Sequence, residues 1–563
     1  MIRRSLNDKE SDIFTQCLQL QMDPNQQPRT DAFQVGQRVH FAGQPRRVGT
    51  VKYVGPVEGY SGIWVGVDWD ADGEGKHDGS HNGVSYFNAR GPKTASFARP
   101  HNLSSGVSLL EALEARYRTT STKEEEDEMY VLSARNQKVS IELVGKDKIQ
   151  DKLSRYEELT SGSLSYLGVS LPGSPDHVSS TLPNLKELDL TGNLLARWED
   201  VGIICEGLPA LEALNLSNNA LSPDITLVPQ LSGIRVLVLN HAGVIWKQVE
   251  VLKDSLPHLE ELHLMGNNLR EITPVSSTSV QGFNSLRLLN LENNCIATWD
   301  EIIKLSQLRS LEQLLLNNND LSRLWYPDSA TPCEGSNNAY ETLEESFNPF
   351  NSLRCLLLGG NNIEDLESVD SLNSFPNLTD IRLSENPVAD LGECGVPRFV
   401  FIARLAKVEI FNGSEVSPRE RKDSEIRYVR LVMSKSHGSP EEINRLHPRF
   451  TELKKIHGIE DERPSIGSSG PQKMSSGLIS ISLKCVGASM GEKPTLAKKL
   501  PATTTVGKLK NLCESFFKLK SVKPLLFLQE EGSPLPTLLE DDMASLIELG
   551  VGNGSTILVD EFS

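Results

Sequence analysis

The sequence predicts a multidomain chain of three unlike architectures in series: a small β-barrel, an α/β solenoid of leucine-based repeats and a C-terminal α+β domain. Three observations predict it. The pattern L-x-x-L-x-L-x-x-N recurs between residues 185 and 386. Ahead of it, residues 33–103 break into short strands separated by glycine turns, and behind it a strand-strand-helix-strand-strand order closes the chain. A length of 563 residues agrees, because single hydrophobic cores stop growing beyond about 300 residues.

Charge and cysteine usage narrow the function classes. A formal net charge of -18 speaks against general affinity for nucleic acid or a membrane surface, both of which need clustered Lys and Arg. The cysteines (Cys17, Cys205, Cys295, Cys333, Cys355, Cys394, Cys485, Cys513) form no Cys-x-x-Cys pair and have no histidine-rich neighbourhood. Neither a metal site nor a disulfide scaffold is expected, and a reducing cytoplasm fits. Residues 1–30 carry early arginines but no apolar core of signal-peptide length, so they read as a disordered leader with Met22 as an alternative start. No segment reaches the ~20 apolar residues of a membrane span.

Within residues 31–103, QRVHF, RVGTVKYVG, WVGVDWD, VSYF and SFARP read as barrel strands, and GEGKHDGSHNG, from Gly73 to Gly83, lies between the third and fourth. A phosphate loop needs G-x-x-x-x-G-K-[ST] opening a helix, whereas here His77 follows Lys76 and strands lie on both sides. A metal site needs converging ligands, but His77, Asp78 and His81 share one turn with no second cluster. What remains is glycine-exposed backbone beside Lys76, bordered by Trp64, Trp69, Tyr86, Phe87 and Phe97. Residues 31–103 carry 8 Lys/Arg and 7 Asp/Glu, a net of +1, so the rest of the chain totals -19. Such a loop suits a short acidic peptide ending in an aromatic residue.

GKHDGSHNGVSYF, with GIWVGVDWD before it and SFARP after it, resembles the CAP-Gly family, whose usual core is G-K-N-D-G. The resemblance implies a receptor for the acidic-aromatic C-terminal tail of α-tubulin. Trp64 and Phe97 would line a cavity for the terminal aromatic, Lys76 would meet carboxylates, and Gly75, Lys76, His77, Asp78 and Gly79 would form the loop over a base anchored by Tyr86 and Phe87. His77 departs from the family's asparagine, so its hydrogen bond depends on imidazole tautomer and charge. On this reading His77→Asn tightens tail binding near neutral pH.

Residues 104–155 read as a linker holding a short helix, SLLEALEARYR, and a solvated acidic run, KEEEDEMY. The repeat block spans 156–432. Its eight copies begin at Leu185, Leu211, Ile234, Leu259, Leu286, Leu311, Leu353 and Leu378, spaced by 26, 23, 25, 27, 25, 42 and 25 residues, the long step holding the insertion YPDSATPCEGSNNAYETLEES. In each, three apolar residues face inward and an asparagine amide (Asn193, Asn219, Asn267, Asn294, Asn319, Asn361, Asn386) satisfies backbone groups at the turn; Ala242 breaks the series. These are leucine-rich repeats, in which each unit buries its neighbour's apolar face.

Alternation along the strands places a second row on the concave sheet: Glu187 and Asp189, Val236 and Val238, Glu261 and His263, Leu288, Gln313 and Leu315, Leu357, then Asp380 and Arg382. Aliphatics among charges mark a protein-binding surface, with Val236, Val238, Glu261, His263, Leu288, Leu315 and Leu357 as candidates; cover by the chain's own linkers is the alternative. Trp198 and Trp299 each fall five residues after a ladder asparagine, which points to a core role. Residues 396–432 resemble the helical cap of such solenoids.

A tether, ERPSIGSSGPQKMSSG, falls in the linker 433–476. In residues 477–563, GLISISLKCVG, the amphipathic TVGKLKNLCESFFKL, PLLFLQ and STILVDEF resemble a ubiquitin-like β-grasp domain without a terminal Gly-Gly, hence a docking domain. The terminal VDEFS approaches an acidic-aromatic tail, but Ser563 follows the phenylalanine.

Barrel, repeats and ubiquitin-like end in that order resemble the cofactor E family of tubulin-folding chaperones. The resemblance implies capture of α-tubulin, assembly of αβ heterodimers with cofactor D bearing β-tubulin and with cofactor C, and dimer dissociation by the reverse route. It also implies a cytoplasmic, cytoskeleton-associated protein, with proteasome or ubiquitin-pathway components as further partners. Two other readings stay open, a microtubule-associated CAP-Gly adaptor and a ubiquitin- or proteasome-linked adaptor; adaptors of the first kind often carry coiled coils, and no sustained heptads occur here. No catalytic constellation stands out, so neither an enzyme nor a small-molecule cofactor is expected.

Overall fold

A computed structural model describes residues 33–117, 130–132, 138–140, 155–274, 279–327, 348–390, 395–435, 439–459, 478–487, 493–519, 523–529, 536–539, 542–546 and 549–561. The leader, nearly all of KEEEDEMY, most of the insertion after Trp325, the tether and Ser563 lie outside the described residues. The chain forms two compact units, Met1–Asn294 and Cys295–Ser563.

The first unit opens with the barrel. Strands β1 (Arg38–Phe41), β2 (Gln44–Val57), β3 (Tyr60–Trp69), β6 (Ala95–Ala98) and β7 (Leu103–Ser104) make an antiparallel sheet in the order β6-β3-β2-β1-β7, and β4 (Ser80–His81) and β5 (Val84–Ser85) form a small hairpin. Period-2 alternation explains the core: Val39, Val51, Val65, Val67, Trp69, Ala98 and Leu103 point inward from consecutive strands. Beyond β7 the chain does not leave the barrel free. Strand β8 (Val107–Ser108) pairs in parallel with Val169–Leu171 beside the first repeat, and helix α1 (Leu109–Tyr117) buries Leu109, Ala112 and Leu113. At Gly106 a side chain would collide, because a Cβ would sit 2.4 Å from the Gly168 carbonyl oxygen.

In this unit the repeat strands Ser161–Ser163, Glu187–Asp189, Ala213–Asn215, Val236–Val238, Glu261–His263 and Leu288–Asn290 pair in parallel without slip, Leu188, Leu214, Leu237, Leu262 and Leu289 lying in one row. The asparagines act as expected. Asn267 accepts from the backbone N–H of Ala242 and Val244 (2.9 and 3.1 Å) and donates to the carbonyls of Leu239 and Leu264 (2.8 and 2.9 Å). Where Ala242 replaces the ladder asparagine, the backbone compensates, Leu221 N–H donating to Asn219 O at 3.1 Å. Trp198 and Trp246 each open a helix and are buried, and Trp198 Nε1 donates to Ser222 O at 3.2 Å. The core role holds, and Trp246 shares it.

The second unit continues the pattern with Gln313–Leu315, Cys355–Leu357, Asp380–Arg382 and Ile410–Phe411 in parallel, closed by an antiparallel partner, Ser414–Glu415. Trp299 is buried here, its Nε1 bonded to Trp325 O at 2.6 Å. The helical cap consists of Arg398–Arg404 packed on the long helix Pro418–Lys435 through Phe399, Val400, Ala403, Tyr428, Val429 and Val432. It continues into the stretch expected as linker, where the helices Pro440–Leu446 and Phe450–Ile456 flank His447 and bury Leu453 in the same core. The C-terminal domain is a β-grasp: Leu478–Cys485 and Thr556–Glu561 run parallel at its centre, Leu496–Pro501 and Pro524–Gln529 flank them antiparallel, and Thr537–Leu538 pairs outside. The helix Val506–Phe517, capped by the Thr505 side chain, lays Leu509 and Cys513 across a core of Ile479, Ile481, Leu483 and Val559.

Candidate peptide-binding site on the barrel

The glycine loop lies flat on strand β6. Gly75 N–H donates to Lys93 O at 2.9 Å, Lys76 and His77 N–H both donate to Ala95 O at 2.6 and 3.1 Å, and Ala95 N–H returns to His77 O at 2.9 Å. A Cβ on Gly75 would fall 2.2 Å from the Ala95 nitrogen. At Gly79, with φ of 100°, it would fall 2.0 Å from Phe87 O. Space therefore demands glycine at both positions, and backbone conformation demands it again at Gly79. Asp78 turns the chain by accepting from the Ser80 N–H and hydroxyl, bonds that hold its carboxyl below the usual carboxylate range.

His77 is built into the loop. Its Nδ1 accepts from Gly79 N–H at 3.0 Å, which leaves the proton on Nε2 of a neutral ring. Burial pushes its pKa below the ordinary histidine value; the Asp78 carboxylate opposes this, while His81 and Lys76 add to it. The ring stacks on Phe97 with centroids 4.8 Å apart.

Phe97 is the hub of the aromatic base. Tyr86, Phe87 and Tyr53 meet it edge-on at 5.3, 5.7 and 6.2 Å. Tyr86 Oη accepts from Glu58 N–H at 2.9 Å, and Phe87 occupies the space a side chain on Gly66 would need, 2.3 Å from that Cβ position. The pairing of Gly66 with Phe97 and of Val65 with Ala98 puts Trp64 on the same sheet face as Phe97 and Arg99. Tyr60 meets the Trp64 ring edge-on at 5.6 Å, and the Arg99 guanidinium lies 3.9 Å from its centroid, steadied by a 2.7 Å bond to Ser61 O. Trp64 Nε1 is buried without a hydrogen-bond partner among the described residues. Lys76 is exposed and forms no ion pair among them.

The structure thus gathers Gly75 to Gly79, Phe97 and Trp64 on one face. Trp69 stands apart, fully buried in the barrel core with Arg47 over its ring at 4.5 Å. Tyr53 and Tyr60 belong to the face, as does Arg99 of SFARP, and none of the three stands out as a site residue in the sequence; only their alternation with core residues could have marked them.

The concave candidates are placed differently. Val236, Val238, Glu261, His263 and Leu288 in the first unit, and Leu315 and Leu357 in the second, flank the buried central leucine of their strands and are all half-buried. His263 Nε2 lies 3.5 Å from Glu261 Oε2.

A CAP-Gly domain family model matches residues 35–103. Tubulin-folding cofactor E of Arabidopsis thaliana is 64% identical over 533 residues, spanning 95% of this chain and 99% of that relative. The chain belongs to the tubulin-folding cofactor E family. Human tubulin-specific chaperone E is 30% identical over 93% of this chain and 98% of its own length. The solution structure of the C-terminal ubiquitin-like domain of mouse tubulin-specific chaperone e aligns with 17% of this chain and 96% of that domain, at 33% identity and a TM-score of 0.14. In this cofactor E family member, Cys205, Cys295, Cys355 and Cys513 are free thiols. Among the described residues no cluster of His, Cys, Asp and Glu could hold a metal ion, and no helix is long and apolar enough to cross a membrane.

Proposed function

We propose that the chain is a tubulin-folding chaperone whose CAP-Gly barrel takes the C-terminal tail of α-tubulin and whose repeats take its body. It acts by binding, without catalytic residues, together with cofactor D bearing β-tubulin and with cofactor C, in assembling and dissociating αβ heterodimers. The cytoplasm, in contact with the cytoskeleton, is its place of work, and the ubiquitin-like domain is the docking site for proteasome or ubiquitin-pathway components.

The observation that carries the reading is the glycine loop pinned to Ala95 beside the Phe97 aromatic cluster, with the Lys76 ammonium free of ion pairs among the described residues. A carboxylate run meets Lys76 and the Arg99 guanidinium, while a terminal aromatic packs on Trp64 and Phe97. On the concave strands Val236, Val238, Glu261, His263 and Leu288 of the first unit, and separately Leu315 and Leu357 of the second, offer half-buried contact residues. Joining a weak tail contact to a weak body contact raises the effective concentration of the second once the first forms, so neither has to be strong alone.

The test mixes the purified full chain with soluble tubulin dimer and, separately, with polymer. A complex containing α-tubulin and a loss of polymer are expected. Stable co-sedimentation with intact polymer would instead make the chain a lattice adaptor.

A further inference from the structure

In the second unit the β-grasp domain packs against the helical cap and leaves a cleft of about 710 Å³ between the helix Pro418–Lys435 and the turn around Gly552. Contact is close because the turn is glycine-rich. A Cβ on Gly550 would lie 2.7 Å from the Phe399 ring and 2.9 Å from the Arg427 guanidinium, and one on Gly552 would lie 3.4 Å from Arg427 Cγ. Arg427 itself lies over Phe399, 4.2 Å from the ring centroid, and so is held in one orientation.

Charge sets this cleft apart from the molecule. Among the described residues Arg398, Arg419, Arg427 and Arg430 line it against Glu420 and Asp423, a net of +2 in a chain of -18. Arg398 is committed to Glu420 at 2.8 Å, and Arg419 pairs loosely with Asp423 at 3.8 Å with both side chains exposed. Arg430 is exposed and has no ion pair among the described residues. Arg419, Arg427 and Arg430 recur at helical spacing on one face, and the eleven helical steps from Arg419 to Arg430 span about 16 Å.

We propose that this cleft binds an extended acidic peptide segment of a partner protein. A lone phosphate or carboxylate would reach only one or two of guanidinium groups spread over ~16 Å, whereas an extended chain advancing about 3.3 Å per residue covers that length in five residues. Carboxylates near its two ends then meet the exposed guanidinium groups of Arg419 and Arg430, each able to form two parallel hydrogen bonds. The glycine turn supplies the opposite wall without side chains that would fill the space.

The experiment titrates the full chain with fluorescein-labelled hexaglutamate amide, a probe with no terminal aromatic and no free terminal carboxylate for the barrel. Binding that weakens about tenfold in Arg419→Ser/Arg430→Ser and loses part of its salt dependence is expected, with an unchanged melting curve. Both side chains are exposed, and Arg427, which packs on Phe399, stays in place. Equal affinity in the double variant overturns the proposal. So does loss of binding in Lys76→Glu, which would move the site to the barrel, or tighter binding of inorganic phosphate or a single-stranded oligonucleotide than of the peptide.

Discussion

The glycine loop of the barrel and the concave sheet of the repeats solve recognition in opposite ways. The loop is held by backbone bonds to Ala95, by the His77 imidazole and by three rings around Phe97, so the loop backbone and its aromatic base are fixed before a ligand arrives. The concave sheet fixes mainly its frame: the central leucines and the asparagines are buried, while outward residues such as Val236, Val238, Glu261 and His263 are only half-buried. A preorganised site depends on single residues, and a distributed one depends on its scaffold.

Breaking the loop should give the largest effect. Gly79→Val places a side chain into Phe87 O at a positive φ, and tail-peptide affinity measured by anisotropy is expected to fall on the order of 100-fold or more. The repeats fail through their frame instead. Asn267→Ala removes four buried hydrogen bonds and should lower stability by about 2–4 kcal/mol in a urea titration, with tail affinity unchanged. Reversing one charge is milder: Lys76→Glu is expected to weaken tail binding about tenfold in low salt and less in high salt.

Acid should affect the barrel and the cap of the repeats. Burial lowers the pKa of His40 and His77 in the barrel, and burial together with Arg404 lowers that of His447, which accepts from the Tyr428 hydroxyl in the cap at 2.9 Å. Their ordinary value is 6.5, so the neutral rings leave stability intact above that pH. As pH falls below it the unfolded chain takes up protons first, and stability is lost progressively through the depressed folded values. Melting temperature followed from pH 7.5 downward should be flat, then decline. The smallest effect belongs to His77→Asn. Asparagine keeps an acceptor for Gly79 N–H but gives up the stack on Phe97, so a few-fold tightening of tail binding is the most that calorimetry should show.

The same contrast explains what the sequence made legible. The asparagine ladder and the Gly75 to Gly79 loop are legible because each is a recurring spacing of residue types in the sequence. Arg99 over Trp64, and Tyr53 and Tyr86 around Phe97, depend on strand register across the sheet. The seating of β8 beside Val169–Leu171 depends on Gly106 and Gly168, whose close approach appears only after folding. In the C-terminal half, the cleft lined by Arg419, Arg427 and Arg430 looks in sequence like an ordinary charged helix; only the Gly550 turn packed against it makes it a cleft.

The most direct measurement of the central claim is a calorimetric titration of the full chain with two acidic peptides that differ only in whether they end in a free aromatic residue. Binding of the aromatic-ended peptide, lost when that residue is removed and lost again in Gly79→Val, is the result expected. Equal binding of both peptides, or binding indifferent to Gly79, would contradict it.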